Sequence, residues 1–271
     1  MPELPEVETT RRGIAPHVVG KKITGVIIRN HRLRWPIPAH LNKKLVKHTV
    51  RNLTRRAKYL IFHFDNGSMI LHLGMSGSLR ILTRDLPADK HDHVDIVFGR
   101  KTRLRFRDPR RFGCILWTGN DPLQHALLQN LGPEPLDEEL TGDYLFAKSR
   151  RRAQALKNFL MDSRIVAGVG NIYANEALYA AGILPGKKAG GITRKQCEKL
   201  AVAIKDVLQR AIAKGGTTLR DYVNSEGEPG YFRLELKVYD RKGLPCPRCG
   251  TLIKSKRHGQ RSSFYCPRCQ R

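Results

Sequence analysis

The sequence predicts an α+β multidomain protein. Three observations predict it: a helical opening, a series of short alternating strands as far as Trp117, and a helical second half closed by two cysteine pairs. With 271 residues, 40% of them hydrophobic, the chain is long enough for two ordinary domains that each bury a core.

The first helix is predicted over 3–14. Pro2 stands near its N1 position, where a missing N–H is harmless, and Glu3, Glu6 and Glu8 lie at the positive end of the helix dipole. A second reading attaches to the same residues. Removing Met1 in front of a small residue leaves Pro2 with a free secondary amine. An α-amino group titrates near about 7.7–8.0, against about 10.4 for lysine, so part of it is neutral at pH 7. Amine attack on a carbonyl carbon then gives a Schiff base. On this segment alone, the plain helix start is the simpler reading.

Short β-rich runs follow at 23–29, 59–64, 68–73, 93–98, 103–107 and 114–117, several of them alternating apolar and polar residues, with Asp65-Asn66-Gly67 as a turn between two of them. This pattern predicts a β-sandwich or barrel rather than a parallel sheet. From Pro122 onward the periodicity is helical, over 122–130, 138–148, 151–160, 172–181 and 193–214. Gly119, Pro122, Gly132 and Pro133 place the boundary between Trp117 and Pro135.

Six cysteines fall into two kinds. Cys114 and Cys197 stand alone and read as small buried hydrophobes. Cys246-x2-Cys249 and Cys266-x2-Cys269, sixteen residues apart, have the spacing of a four-cysteine zinc site on a basic hairpin, as in a zinc ribbon. Two disulfides are the competing reading; the chain shows no basic leader and no run of 18 apolar residues, which predicts a cytoplasmic, reducing location, nucleoid-associated if bacterial.

The net charge of +26 points to a polyanion, nucleic acid ahead of an anionic membrane surface. Its distribution is uneven. From Thr9 to Phe64 there are fourteen Lys and Arg and no acid, and from Arg241 to Arg271 nine and no acid. Between Asp121 and Asp143 there are six acids and no Lys or Arg, so that segment is expected to face away from the polyanion.

Several short motifs carry chemistry. Gly168-Val169-Gly170-Asn171 opens an apolar-periodic helix, where backbone N–H groups can hold a phosphate and Asn171 can cap or donate. Asp108-Pro109-Arg110-Arg111-Phe112-Gly113 puts two guanidiniums and a ring on a turn. Phe112 there either wedges between bases or returns to the core, and Met75 in Leu73-Gly74-Met75-Ser76-Gly77 has the same two readings. Lys58, before an apolar strand, and Arg261, between the cysteine pairs, read from composition alone as solvated or phosphate-binding cations.

Taken in order, Met-Pro-Glu-Leu-Pro-Glu-Val-Glu-Thr, Arg-Arg-Ala-Lys-Tyr, His-Leu-Gly-Met-Ser-Gly, Asp-Pro-Arg-Arg-Phe-Gly, Gly-Val-Gly-Asn-Ile-Tyr-Ala-Asn-Glu and the four-cysteine ribbon resemble the formamidopyrimidine-DNA glycosylases over essentially the whole chain. The resemblance implies an N-terminal β-sandwich with its leading helix (1–120), a helix-two-turns-helix module (121–225) and a C-terminal four-cysteine zinc finger (226–271), acting as a monomer on damaged duplex DNA held between the two halves. It implies catalytic roles for Pro2 as nucleophile, Glu3 as general acid/base, Lys58 in β-elimination and Arg261 in δ-elimination. Met75, Arg110 and Phe112 would fill the gap left by a flipped nucleotide, and His91, Arg152, Lys157 and Asn171 would hold phosphates. Cys246, Cys249, Cys266 and Cys269 would hold one structural Zn2+. The basic run at 150–152 leaves the alignment of Arg152 open by a residue. Gly215-Gly216-Thr217-Thr218-Leu219-Arg220-Asp221-Tyr222, with Gly227 and Gly230 beyond, resembles a loop covering 8-oxoguanine. Endonuclease VIII-type chemistry on oxidised pyrimidines is the neighbouring alternative, and a non-enzymatic zinc-ribbon DNA-binding protein the more distant one.

Overall fold

A computed structural model describes residues 1–216 and 236–271. Of the loop expected to cover a base, only Gly215 and Gly216 fall within the described residues. The chain divides into two compact units, one holding Met1–Gln129 and the other Asn130–Ala213 with the residues from Leu236 onward.

The first unit opens with α1 (Leu4–Val18), whose N-cap is Glu3. The helix passes the predicted end at residue 14 because Pro16 sits in its last turn, where its ring removes one hydrogen bond, while Val18 beyond it is fully buried. Two four-stranded antiparallel sheets follow. One runs β2 (Asn52–Arg56), β3 (Tyr59–Phe64), β4 (Gly67–His72), β8 (Cys114–Thr118); the other runs β1 (Ile23–Ile28), β6 (Asp92–Phe98), β7 (Thr102–Arg107), β5 (Ser78–Leu82). Leu60, Phe62 and Leu71 of the first sheet, Val94, Ile96 and Phe106 of the second, and Val7, Ile14 and Val18 of α1 share one buried cluster. The sandwich reading therefore holds and the barrel does not.

Strands β2 and β5 and the short α2 (Leu41–Leu45) went unpredicted. Both strands lie at sheet edges and carry arginines, Arg55 and Arg56 on one and Arg80 on the other, as edge strands do when charge blocks further pairing.

In the second unit the helices are α3 (Gly142–Ser149), α4 (Leu156–Met161), α5 (Asn171–Ala181) and α6 (Arg194–Ala213), and β9 (Lys254–His258) pairs with β10 (Arg261–Tyr265) in a hairpin. Helices α3 and α5 both pack on α6, and β10 packs on α5. Three predicted helices shrink. The stretch 122–130 keeps only a 3-10 turn at Pro122–Gln124. Helix α3 starts late, at the Thr141 cap whose hydroxyl accepts the Tyr144 N–H at 3.1 Å. Helix α4 starts at Leu156, after Arg151 takes a left-handed φ of 60° that breaks any continuous helix there.

One carboxylate staples α1 to the sandwich. Glu8 accepts from Arg11 and Arg12 on its own helix and from Arg55 on β2. Burial alone would raise its pKa, but these three guanidiniums outweigh burial and hold it at about 2, from 4.5. A carboxyl depressed in the folded state stabilises above its unfolded pKa. The stability difference between the wild type and Glu8→Gln is therefore expected to be full above about pH 4.5 and to close as pH falls toward 2, read by denaturant titration at stepped pH.

Candidate functional site

At the chain start, Pro2 and Glu3 are buried. Glu3 and Glu6 form a reciprocal capping box, with Glu6 Oε2 accepting the Glu3 N–H at 2.8 Å. Two carboxylates are thus concentrated at the positive end of α1, where the dipole favours them. Gly216 passes close to them: a Cβ there would lie 3.1 Å from Glu6 Oε1, and its φ of +80° suits glycine. With Met1 in place, the Pro2 nitrogen is an amide. Lys58 occupies the two-residue turn between β2 and β3, directly before β3 as expected and next to Ala57 at φ 54°.

His72, at the end of β4, is half-buried. Burial first, then the charges of Lys58 and Arg34, hold its pKa down at about 4, so it stays neutral and Nδ1 accepts the Gly74 N–H at 2.9 Å.

Two turns of the sandwich meet on a buried carboxylate. Asp108 is fully buried; Oδ1 accepts from Ser76 Oγ at 3.0 Å and the Arg110 N–H at 3.3 Å, and Oδ2 accepts the Gly113 N–H at 2.8 Å. Its backbone continues the network, donating to the His91 carbonyl at 3.0 Å and meeting His93 Nε2 at 2.8 Å. The turns touch so closely that a Cβ on Gly74, at φ +69°, would come 2.4 Å from the backbone of Phe112 and Gly113. This clamp settles two open readings. Phe112 is 46% exposed with the Arg110 guanidinium 5.0 Å from its ring, so it does not return to the core. Met75, half-buried, lies outside the core cluster as well. Neither Asp108 nor Ser76 was singled out by sequence reasoning; Asp108 at the head of a turn motif is a signal that could have been read as an Asx acceptor.

In the second unit, Gly170 rather than Asn171 is the N-cap of α5, without a side-chain cap. Asn171 Oδ1 instead accepts from Lys157 Nζ at 2.9 Å, which leaves its amide N–H groups as the donors at this helix start. Lys157 departs from the expected phosphate contact. It is fully buried and spends its other protons on the carbonyls of Ser262, at 2.9 Å, and Arg261, at 3.3 Å. Burial and the Arg261 charge lower its pKa to about 8. The short α4 turns its side chain toward the finger hairpin, so Lys157 orients Asn171 and ties down Arg261. Arg261 and Arg152 are exposed, whereas Arg150 is occupied by the carbonyls of Phe146 and Ile192. His91, in the turn before β6, is half-buried.

Helix α5 also holds the finger through groups that went unpredicted. Asn175 Oδ1 accepts the Phe264 N–H at 2.8 Å. The buried Glu176 carboxylate accepts the N–H groups of Lys237, Val238 and Tyr239 at 2.8–3.0 Å, and burial, outweighing these bonds, raises its pKa.

Cys246, Cys249, Cys266 and Cys269 converge, with all four Sγ atoms within 4.8 Å of one another. Separations of 3.5 Å and 3.9 Å rule out disulfides, whose sulfurs sit about 2.05 Å apart. They match the edge, about 3.8 Å, of a tetrahedron with Zn–S bonds of about 2.3 Å. Tyr179 of α5 supports the site: its buried hydroxyl lies 3.2 Å from Cys246 Sγ and its ring is covered by Arg248 at 4.4 Å. Cys114 and Cys197 are buried and free, as expected.

Two outcomes follow from these contacts. Tyr179→Phe keeps the packing but loses the hydroxyl, and is expected to hold zinc about 10-fold less tightly in competition with a chromophoric chelator. Asp108→Asn turns an N–H donor toward the donors of both turns, and should lower denaturant stability by about 1–3 kcal/mol.

The matches to known proteins agree with this anatomy. Residues 1–115 match the formamidopyrimidine-DNA glycosylase N-terminal domain, residues 131–223 the H2TH domain of the same enzymes, and residues 243–271 a zinc finger found in FPG and IleRS. The formamidopyrimidine-DNA glycosylase of Marinobacter nauticus is 58% identical over 271 residues, 100% of each chain. A crystal structure of a Lactococcus lactis Fpg variant with Fapy-dG-containing DNA superposes with a TM-score of 0.93 at 35% identity, covering 100% of both chains. Another, of wild-type Lactococcus lactis Fpg with DNA containing an oxidised pyrimidine, gives 0.91 at 34% identity, again over 100% of both. With matches spanning all of its length, the chain belongs to the formamidopyrimidine-DNA glycosylase family.

Proposed function

We propose that the protein excises oxidised purines, 8-oxoguanine and formamidopyrimidines, from duplex DNA and then cleaves the strand, acting as a monomer in the bacterial cytoplasm, associated with the nucleoid. The observation that carries this is the exposed Arg110–Phe112 turn, fixed by Asp108, in a chain that also opens with Pro2 against a capped helix. A DNA-binding protein without catalysis has no use for that chain start. Among the described residues no helix is long and apolar enough to cross a membrane.

Removal of Met1 converts the Pro2 nitrogen into a secondary amine at the start of α1. That amine attacks C1′ of the damaged nucleotide as the glycosidic bond breaks and its electron pair leaves with the base; the nitrogen loses its proton, and the C1′–O4′ bond then opens, O4′ taking up a proton, to leave an iminium. Glu3 carries protons at this centre. The iminium acidifies C2′–H, so β-elimination of the 3′ phosphate follows from the same intermediate with help from Lys58, and Arg261 promotes the δ-elimination that expels the 5′ phosphate. Chemistry at C1′ requires the nucleotide out of the stack, and Met75, Arg110 and Phe112 occupy the space it leaves. His91, Arg152 and the Asn171 amide hold phosphates, with Lys157 acting through Asn171. The divisions 1–120, 121–225 and 226–271 serve as catalytic, duplex-binding and finger segments. Zinc, when bound by four thiolates, has no open position for water and organises the finger.

A second reading, that oxidised pyrimidines are also processed, is favoured by the Lactococcus lactis complex with such DNA. Borohydride trapping decides between them. Duplexes holding 8-oxoguanine opposite C are expected to yield a covalent adduct with wild type and none with Pro2→Gly; thymine glycol duplexes give the pyrimidine rate for comparison. Intact mass is expected to lack Met1, and active protein that retains it would exclude the Pro2 nucleophile.

A further inference from the structure

We propose that the loop at 31–37 forms, with the Asp108 turn, a clamp for the phosphodiester backbone of duplex DNA that acts whether or not a lesion is present. It rests on the reading of the protein as a DNA enzyme and adds to that reading a contact role for Arg32, Arg34 and Arg111, beside the Arg110–Phe112 turn.

The surface is a concavity of about 570 Å³ lined by Arg32, Leu33, Arg34, Arg110, Arg111 and Phe112. No carboxylate lines it. Among the described residues, none of its four guanidiniums has an ion-pair partner. The contrast within the same unit is sharp: Arg11, Arg12, Arg29, Arg51, Arg55, Arg103, Arg105 and Arg107 all pair with Asp or Glu. The sandwich thus pairs these eight arginines with acids and gathers four unpaired ones around a single concavity. Like charges collected in one concavity repel one another until a polyanion arrives, and the field they generate draws it in.

The loop is built to hold its cations still. Leu33 and Ile37 are buried beneath it, Arg32 and Pro36 form a β-bridge, and the Arg32 N–H bonds Asn30 Oδ1 at 2.8 Å. The Arg34 N–H donates to the Gly113 carbonyl at 3.2 Å, which couples the loop to the turn that carries Phe112. Arg32 and Arg34 are left exposed on a fixed backbone, with Trp35, 41% exposed, beside them. Arg111 is held at φ 55°, a left-handed conformation that side chains disfavour, and it lines the same concavity. An open, shallow surface with several separated guanidiniums suits successive phosphates of one strand better than a single enclosed anion. Charge contacts of this kind read no base edge, so Arg32, Arg34 and Arg111 have no means of sensing damage.

The test uses the full-length zinc-loaded protein and the double variant Arg32→Ala/Arg34→Ala, with an unchanged thermal midpoint confirming the fold. Equilibrium affinity is measured against salt concentration for an undamaged duplex and for the same duplex with a tetrahydrofuran abasic analogue. Each lost phosphate contact is expected to reduce the slope of log K against log salt by about 0.9, so the double variant should lose about 2 on both duplexes, with affinity falling by the same factor on each. Arg32→Lys/Arg34→Lys should recover most of that slope. An unchanged slope overturns the clamp, as does a loss confined to the abasic duplex, which would place these arginines in lesion recognition. A wild type that binds DNA with the full slope yet gives no borohydride adduct would refute the enzymatic reading and leave the clamp standing.

Discussion

The exposed tip of the first unit depends on one buried carboxylate. A phenylalanine on a turn ordinarily lowers its free energy by returning to the core, and adjacent arginines separate. Asp108 prevents both because its oxygens accept from Ser76, Arg110 and Gly113. Hydrogen bonds to a charged acceptor in a buried setting are the strong ones, and an unmade bond there is costly. The contact between Gly74 and the Phe112–Gly113 backbone adds a steric limit, so the two turns have a single way to fit. The rigidity of Met75, Arg110 and Phe112 is thus inherited from groups that never reach the surface.

The second unit solves the same problem with opposite charge. Lys157, buried, is satisfied by one amide oxygen and two carbonyls, so it orders Asn171 and the strand bearing Arg261 at once. Glu176 does the converse, gathering the backbone N–H groups of Lys237, Val238 and Tyr239. Both groups are costly to bury and tolerable only when fully bonded. Each converts that requirement into a fixed stretch of backbone. The four thiolates complete the scheme by closing the finger hairpin against α5, with Tyr179 reaching from the helix to Cys246.

What was legible in the sequence follows from this division. Apolar alternation located six strands because their side chains enter one core, and cysteine spacing located the metal site because ligand geometry is local. The turn motifs marked Met75 and Phe112 but left their direction open, since direction is decided by Asp108, whose donors Ser76 and Gly113 come from separate turns far apart in the chain. Strands β2 and β5 escaped because an edge strand has one covered side and charged residues on it. The inward position of Lys157 was out of reach for a related reason. Nothing local marks it, and only the tertiary partners Ser262 and Arg261, more than a hundred residues away, show that it points inward.

The distribution of the arginines completes the picture. A net charge of +26 destabilises a compact state through self-repulsion. Here the repulsion is contained by placing acids against the arginines that brace the sheets. Asp95 is fully buried between Arg29 and Arg105, and those two guanidiniums outweigh the effect of burial to keep its pKa low. Asp92 and Asp89 do the same for Arg107. Charges needed for the fold are thereby removed from the long-range field, while Arg32, Arg34, Arg110 and Arg111 keep theirs on the rim of one concavity. The excess positive charge is therefore not spread evenly over the sandwich; part of it is collected around one concavity, beside the turn that Asp108 fixes.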